Sequence, residues 1–307
     1  MYCFHPINVR EWKENSDGTH SKTNRYHYVP CGKCVACLSR KRNEFTYRLQ
    51  QEEAYADYSY FLTLTYDNEN VPIKKQEEIP YFVFNKKHVQ DFLKRFRYYI
   101  SELNKEVKCS YFCISEYGGH THRPHYHMLL FVKNDKFHKY RKVIERTLES
   151  QWKYGFTVIK PTNQANIHYC TKYCIKNLEE MPADCIEPVF MLASKRPFLG
   201  ASALETVEQQ YADYIGTERM EPFVFNNGCR NAMPRIYRQK LGLKGYGKAM
   251  SCDPRLTEEQ YTELLRKFPS SIDKEDMQRR FAEFVNKQFK IKERAARLRQ
   301  LQRSETL

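Results

Sequence analysis

The segment Arg123-Pro124-His125-Tyr126-His127-Met128-Leu129-Leu130-Phe131 places two imidazoles two residues apart at the head of an apolar run. Side chains two apart on an extended strand share a face. His125 and His127 would then stand side by side, close enough to grip one divalent cation, with Tyr126 turned the other way into the core. An isolated His-x-His is more often two ordinary histidines satisfied by hydrogen bonds. Here the pair follows a Gly/His/Arg/Pro loop and opens a strongly apolar strand, which rarely accepts two polar residues on one face unless they bind something. Two imidazoles leave such an ion open to more ligands. Glu116, at the end of the preceding strand-like run Tyr111–Tyr117, is the expected third protein ligand, with His122 the weaker candidate. A mixed nitrogen and oxygen set suits Mg²⁺ or Mn²⁺, with zinc as an alternative. A cation of this kind polarises a bound phosphate and holds it for in-line attack.

A second group is Tyr169-Cys170-Thr171-Lys172-Tyr173-Cys174-Ile175-Lys176, one Tyr-x-x-Lys unit written twice with an offset of four. Residues four apart on a helix stack on one face, which would bring Tyr169 over Tyr173 and Lys172 over Lys176. In the plainer reading the rings only pack and the lysines only solubilise. In the chemical reading a phenol serves as nucleophile. Its reference pKa of ~10 means that it needs help near neutral pH, and a metal or a lysine can supply it by stabilising the phenolate and the charge of the transition state. Attack on a phosphodiester would leave a 5′-phosphotyrosine and a free 3′-hydroxyl. Two such tyrosines would let one hold a DNA end while the other attacks a second site.

A third group is Cys31-x-x-Cys34-x-x-Cys37, with Cys3 nearby. Four thiolates could bind one structural Zn²⁺ and tie the N-terminus to the first helix, with His5 or His27 able to replace one of them. Zinc sites usually show two well-separated pairs, which this is not. Unbound thiols and an iron–sulfur cluster remain open.

These groups need a frame. Phe61-Leu62-Thr63-Leu64-Thr65 alternates and predicts a strand. Val89, Phe92, Leu93, Phe96 and Ile100 recur at helical spacing, so His88–Leu103 is expected to lie on a sheet as a helix. Strands are expected over Tyr111–Tyr117, His125–Val132 and Phe156–Lys160. The strand carrying the histidines should be central, since both of its faces are largely apolar. Helices are expected from about Val35 to Tyr58, from Lys136 to Tyr154, from Asn163 to about Glu180, and from Ser202 to Ile215. Beyond these lie a loop-rich basic stretch and a charged helical tail.

Of the 307 residues, 41% are apolar, enough for a core, and 23 Tyr and 19 Phe make the chain aromatic. Fifty-one Lys and Arg against 37 Asp and Glu give a net charge of +14. That balance favours a polyanion, and single-stranded nucleic acid in particular, because bases stack on exposed rings. No run approaches the ~20 apolar residues of a membrane span, and the start lacks the layout of a secretory signal. Eleven cysteines without such a signal point to a reducing compartment. There is no Gly-x-x-x-x-Gly-Lys-[Ser/Thr] loop, so unwinding would fall to a separate helicase.

Taken together, Phe61-Leu62-Thr63-Leu64-Thr65-Tyr66, Arg123-Pro124-His125-Tyr126-His127 and Tyr169–Lys176 resemble the strand, metal and two-tyrosine motifs of HUH-superfamily rolling-circle replication initiators. The chain is most similar to those of gokushovirus-type (Microviridae) single-stranded DNA bacteriophages. The Pro30–Cys37 run and Met233-Pro234-Arg235-Ile236-Tyr237 are similar to that group as well. The resemblance implies an α+β fold, with a central antiparallel β-sheet flanked by helices. It also implies Mg²⁺ or Mn²⁺ dependence, nicking and rejoining of single-stranded DNA at a viral origin, a host helicase and polymerase as partners, and the host bacterial cytoplasm as the site of action. The expected organisation is a Cys-rich arm and helix over 1–59, a nuclease core over 60–180, a loop-rich basic region over 181–250 and a helical tail over 251–307. Arg123 and Arg235 are candidate DNA contacts. Two rivals stand beside this reading. A non-catalytic nucleic-acid-binding protein would form no covalent adduct. A metal hydrolase using water would keep cleaving without its tyrosines.

Overall fold

In the computed structural model the described residues are 3, 7–76, 78–119, 121–176, 187–212, 223–226 and 229–242. The expected tail over 251–307 lies outside them, as do Lys244, His5, the end of the tyrosine helix beyond 176 and the end of the next helix beyond 212. The chain divides into two compact units, one of residues 1–41 with 242–307 and one of residues 42–241.

The first unit contains an antiparallel ribbon, β1 (Ile7–Glu14) with β2 (His20–Val29), where the sequence reading expected only an arm. Helix α1 (Val35–Ala54) starts directly after the cysteine run. It stops four residues short of the expected Tyr58, because Tyr58 opens the next strand, where its ring enters the core and its hydroxyl donates to Asp135 Oδ2 at 2.6 Å.

The second unit is built on a five-stranded antiparallel sheet. Its strands are β3 (Tyr58–Tyr66), β6 (Lys108–Tyr117), β7 (Pro124–Lys133), β8 (Gly155–Pro161) and β9 (Met191–Ala193), in the spatial order β8-β3-β7-β6-β9. A small hairpin, β4 (Ile73–Gln76) with β5 (Ile79–Phe82), intervenes in the chain and was not expected. Helices α2 (Lys86–Leu103), α3 (Arg141–Gln151), α4 (Gln164–Lys176) and α5 (Leu204–Ala212), a second hairpin β10 (Phe223–Asn226) with β11 (Cys229–Ala232), and a short α6 (Arg235–Lys240) complete it. The expectation of an α+β fold with an antiparallel sheet between helices is met.

β7 lies in the middle of the sheet, and its alternation feeds two cores. Tyr126, Met128, Leu130 and Val132 point to one face, where they meet Val89, Phe92 and Phe96 of α2 and Ile144 and Leu148 of α3. Leu129 and Phe131 point to the other face, where they meet Leu49 of α1 and Ile167, Cys170 and Tyr173 of α4. Covering both faces explains why this strand reads as continuously apolar. It also leaves the two histidines on the α4 side.

α3 is shorter than the expected Lys136–Tyr154. Asn134 and His138 take left-handed backbone (φ 66° and 53°), and Asp135 accepts from the Tyr140 N–H at 3.1 Å, so the chain turns twice before the helix begins. At the far end Trp152 leaves the helix to bury its ring, donating to the Thr65 carbonyl at 2.8 Å. Gly155 then starts β8 at φ 150°, so close to β3 that a Cβ would lie 2.4 Å from both the Thr65 carbonyl oxygen and the Asp67 nitrogen. No described helix is long and apolar enough to cross a membrane.

Candidate active site

Strand register assembles the first three residues of the site. Glu116 of β6 is directly opposite His125 of β7, and Thr63 of β3 is directly opposite His127. Because β7 has a partner on either side, one carboxylate and two imidazoles meet on the face toward α4. Glu116 Oε2 lies 3.2 Å from His127 Nε2 and 3.6 Å from His125 Nε2. Their ligand-capable atoms all fall within 4.8 Å of one another. The imidazoles are held from behind. His125 Nδ1 faces the Arg123 carbonyl oxygen at 3.3 Å, and His127 Nδ1 faces Thr63 Oγ1 at 3.1 Å. An N–H donated to that carbonyl leaves the His125 Nε2 lone pair facing the carboxylate, the usual arrangement behind a metal-binding imidazole. Phe61 stacks on the His127 ring, with centroids 5.3 Å apart and planes within 6°.

α4 brings the phenols. Its start is fixed by a reciprocal cap: Asn166 N–H donates to Asn163 Oδ1 at 2.8 Å, and Asn163 N–H donates to Asn166 Oδ1 at 3.2 Å. Ile167, Cys170 and Thr171 are fully buried, so the face presented to the sheet is set by packing. Tyr169 donates to Glu116 Oε2 at 2.6 Å, and its oxygen is 3.5 Å from His127 Nε2. Tyr173, one turn on, has its hydroxyl 3.2 Å from that of Tyr169 and is almost wholly buried. Lys172 Nζ lies 4.5 Å from the Tyr169 ring centroid and 5.7 Å from that of Tyr173. Lys176 lies in the last turn of α4, with its side chain outside the described positions.

The electrostatics follow from this crowding. Burial opposes ionisation of Glu116, but hydrogen bonds from His125, His127, Tyr169 and Tyr173 outweigh it and hold its carboxyl far below the ordinary range. Burial lowers the His127 pKa, with Glu116 pulling the other way. Burial, then the hydrogen bond to Glu116, push the Tyr169 phenol well above its ordinary value, and burial with the Glu116 charge does the same to Tyr173. The chain's own groups thus provide a carboxylate, two imidazoles and two neutral phenols. That donor set fits one divalent cation: two nitrogens and one oxygen converge from rigid strands, and the buried negative charge lacks a fixed cationic side chain among its hydrogen-bond partners.

Other sequence candidates stand elsewhere. His122 has left-handed backbone (φ 49°) in the β6–β7 loop and does not join the convergent group. The Arg123 guanidinium is tied to its neighbours, donating to Asn68 Oδ1 at 2.8 Å and to the Tyr66 and Asp67 carbonyls at 3.1 and 3.0 Å. Arg235 is exposed at the first position of α6. Cys3, Cys31, Cys34 and Cys37 converge in the first unit as a separate group. Thr63 and Phe61 were read only as strand residues. The signal that could have singled them out is parity, since both fall on the face of β3 opposite to Leu62 and Leu64.

All five convergent residues lie inside one matched segment. Residues 59–178 match the family model of ORF2-type replication-associated proteins. The chain is similar to the replication-associated protein ORF4 of Chlamydia phage 1, at 25% identity over 83% of this chain and 62% of that protein. It is 26% identical to the replication-associated protein ORF2 of Spiroplasma virus 4, over 58% of this chain and 62% of the relative. It is 27% identical to the replication-associated protein VP4 of Bdellovibrio phage phiMH2K, over 78% and 76%. The chain thus spans about 62% of the length of the first two relatives. No solved structure matches. The resemblance to phage replication proteins read from the motifs is borne out by these matches.

Proposed function

We propose that this protein nicks and rejoins single-stranded DNA at a viral replication origin, with Tyr169 as the first nucleophile, to start and finish rolling-circle replication in the host cytoplasm. One observation carries the reading: the Tyr169 hydroxyl stands between Glu116 Oε2 (2.6 Å) and His127 Nε2 (3.5 Å), within reach of anything held by the Glu116–His125–His127 group. Glu116, His125 and His127 would hold Mg²⁺ or Mn²⁺, which when bound supplies the positive charge that offsets a phosphodiester's negative oxygens and favours the phenolate. Tyr169 oxygen forms a bond to phosphorus and the phosphorus–O3′ bond breaks. The DNA 5′ side remains as a phosphotyrosine, and the departing 3′ oxygen takes up a proton in place of the one that leaves the phenol. Lys172 adds positive charge beside the two rings, and Lys176 is assigned the same role in the next turn. Tyr173, hydrogen-bonded to Tyr169, is positioned to attack when a second origin copy arrives. The ester bond retained on tyrosine allows rejoining without an energy source. Arg123 and Arg235 are assigned to the DNA backbone, and strand separation and synthesis to a host helicase and polymerase.

The test is a covalent-adduct assay with origin-bearing single-stranded DNA and Mn²⁺. The wild-type protein should form an adduct that survives denaturation, and the protein carrying both Tyr169→Phe and Tyr173→Phe should form none. An adduct that persists in the double variant, or cleavage that persists without any adduct, would overturn the assignment.

A further inference from the structure

The nicking reading makes no use of the four N-terminal cysteines. Their sulfurs all lie within 4.8 Å of one another, with Cys3 Sγ 3.9 Å from Cys34 Sγ and Cys31 Sγ 4.0 Å from Cys37 Sγ. These separations are far beyond the ~2.05 Å of a disulfide. They are close to the ~3.8 Å edge of a tetrahedron whose corners sit ~2.3 Å from a central zinc. An iron–sulfur cluster spreads its cysteines over separate irons bridged by sulfide, which would force a wider set.

The backbone is arranged around the sulfurs. The Cys31 N–H points at Cys3 Sγ at 3.2 Å, and the N–H groups of Lys33 and Cys34 both point at Cys31 Sγ, at 3.4 and 3.3 Å. Gly32 makes that double approach possible with left-handed backbone, φ 75°. N–H donors gathered on sulfur stabilise thiolates, the form a metal binds.

The surroundings supply a separate argument. β1 and β2 pair only with each other among the described residues, and a lone two-stranded ribbon is marginal in water. The ribbon shows no apolar core of its own: Trp12 is 59% exposed and Tyr26 60%, each beneath a cation, Lys22 and Arg10 respectively. Among the described residues ahead of α1, the buried ones are Cys3 and Cys34. Cys3 precedes the ribbon and Cys31 follows it, where Ile7 pairs with Val29, so the sulfurs gather where its two ends meet. A small element without a core needs a staple.

We propose that Cys3, Cys31, Cys34 and Cys37 bind one structural Zn²⁺ as four thiolates, closing the base of the β1–β2 ribbon onto the first turn of α1. Soft thiolates select zinc against the Mg²⁺ or Mn²⁺ assigned to the nitrogen and oxygen site. The two sites would therefore hold different ions in one chain.

The full-length protein, purified without added metal and dialysed against Mg²⁺, should retain one equivalent of zinc by elemental analysis. A mercurial that caps thiols should release that zinc to a colorimetric dye. Protein refolded with Co²⁺ should show the intense visible and near-ultraviolet bands of a tetrahedral tetrathiolate. Cys31→Ser with Cys37→Ser should lose zinc and those bands. Cys109→Ser, outside the cluster, and His125→Ala with His127→Ala should keep both, so failure of this inference and failure of the nicking reading are distinguishable. Folded wild-type protein with substoichiometric zinc and no thiolate bands with Co²⁺ would overturn the proposal. So would zinc retained in the double serine variant, or bound iron with acid-labile sulfide. The wild-type measurements decide the matter even if the serine variants do not fold.

Discussion

The two convergent groups are built on opposite plans. Glu116, His125 and His127 project from three-layered packing, with a core on each side of β7, and their positions follow from strand register. Cys3, Cys31, Cys34 and Cys37 gather at the foot of a ribbon whose largest aromatic, Trp12, faces solvent. In the first group the fold makes the site, so a bound ion can be exchanged or removed without loss of structure. In the second the ion would make the fold, as in small metal-dependent domains. The largest expected effect that tests the first half of this contrast is chemical. Tyr169→Phe leaves the ring, the packing and Glu116 in place and removes only the attacking oxygen. Single-turnover nicking should fall by on the order of 10⁴-fold or more, by analogy with loss of other enzymic nucleophiles, while circular dichroism and the unfolding midpoint stay close to wild type. A loss below tenfold would move the first attack to Tyr173.

Next in size is a test of what holds the sheet site in place. Leu129 is fully buried in the core beneath α4, two residues from His127. Leu129→Ala should cost about 2–5 kcal/mol of stability in urea unfolding. The thiolate metal, if the ribbon is held by it, should remain at full stoichiometry in this variant under native conditions. Chelation gives the converse comparison. A strong chelator should stop nicking at once, and limited proteolysis of the chelated protein should then cut first within residues 7–29 while the segment 42–176 persists. Cleavage appearing first within that segment would show that the sheet, too, leans on a metal, and the contrast would fail.

How far the sequence foretold these plans differed in the same way. The sheet, its helices and the histidine pair were legible because period-2 and period-3.6 patterns report burial, and β7 is buried on both faces. Glu116 was readable as the last polar residue of an apolar strand. The ribbon was not legible, since Ile7, Trp12 and Tyr26 are exposed and leave no alternation against a core. The start of α3 was misplaced because left-handed His138 and the Asp135 cap leave no mark in hydrophobic periodicity. Thr63 was invisible for a third reason. Its role depends on which residue of another strand lies opposite, and that register is a property of the sheet, not of either strand alone.

Thr63 offers the third test. Thr63→Val keeps the shape of the side chain and removes the oxygen facing His127 Nδ1 at 3.1 Å. The ring would lose the partner that sets its tautomer and aim, and partners of this kind are worth about 10–100-fold in metal affinity or activity. Mn²⁺ affinity and nicking should fall together within that range, with stability changed little. Thr63→Ser should restore most of both. An unchanged Mn²⁺ affinity in Thr63→Val would mean that packing against Phe61 alone orients the imidazole.

The smallest effect expected concerns Lys172. Its ammonium lies over the Tyr169 ring at 4.5 Å and near that of Tyr173 at 5.7 Å, and it is only partly buried. A cation in that position favours the phenolate through space, and a contact of this type is worth about 0.5–1 kcal/mol where solvent reaches it. Lys172→Met keeps the length of the side chain and removes the charge, so nicking should drop by about two- to fivefold. Lys172→Arg should retain most activity, because the charge stays and no single hydrogen bond is required. A loss beyond about a hundredfold in Lys172→Met, near 2.7 kcal/mol, would exceed what a partly solvated cation over a ring can supply. Lysine would then have to touch the phosphate itself, and the sheet site would no longer be complete without a charge carried in by the helix.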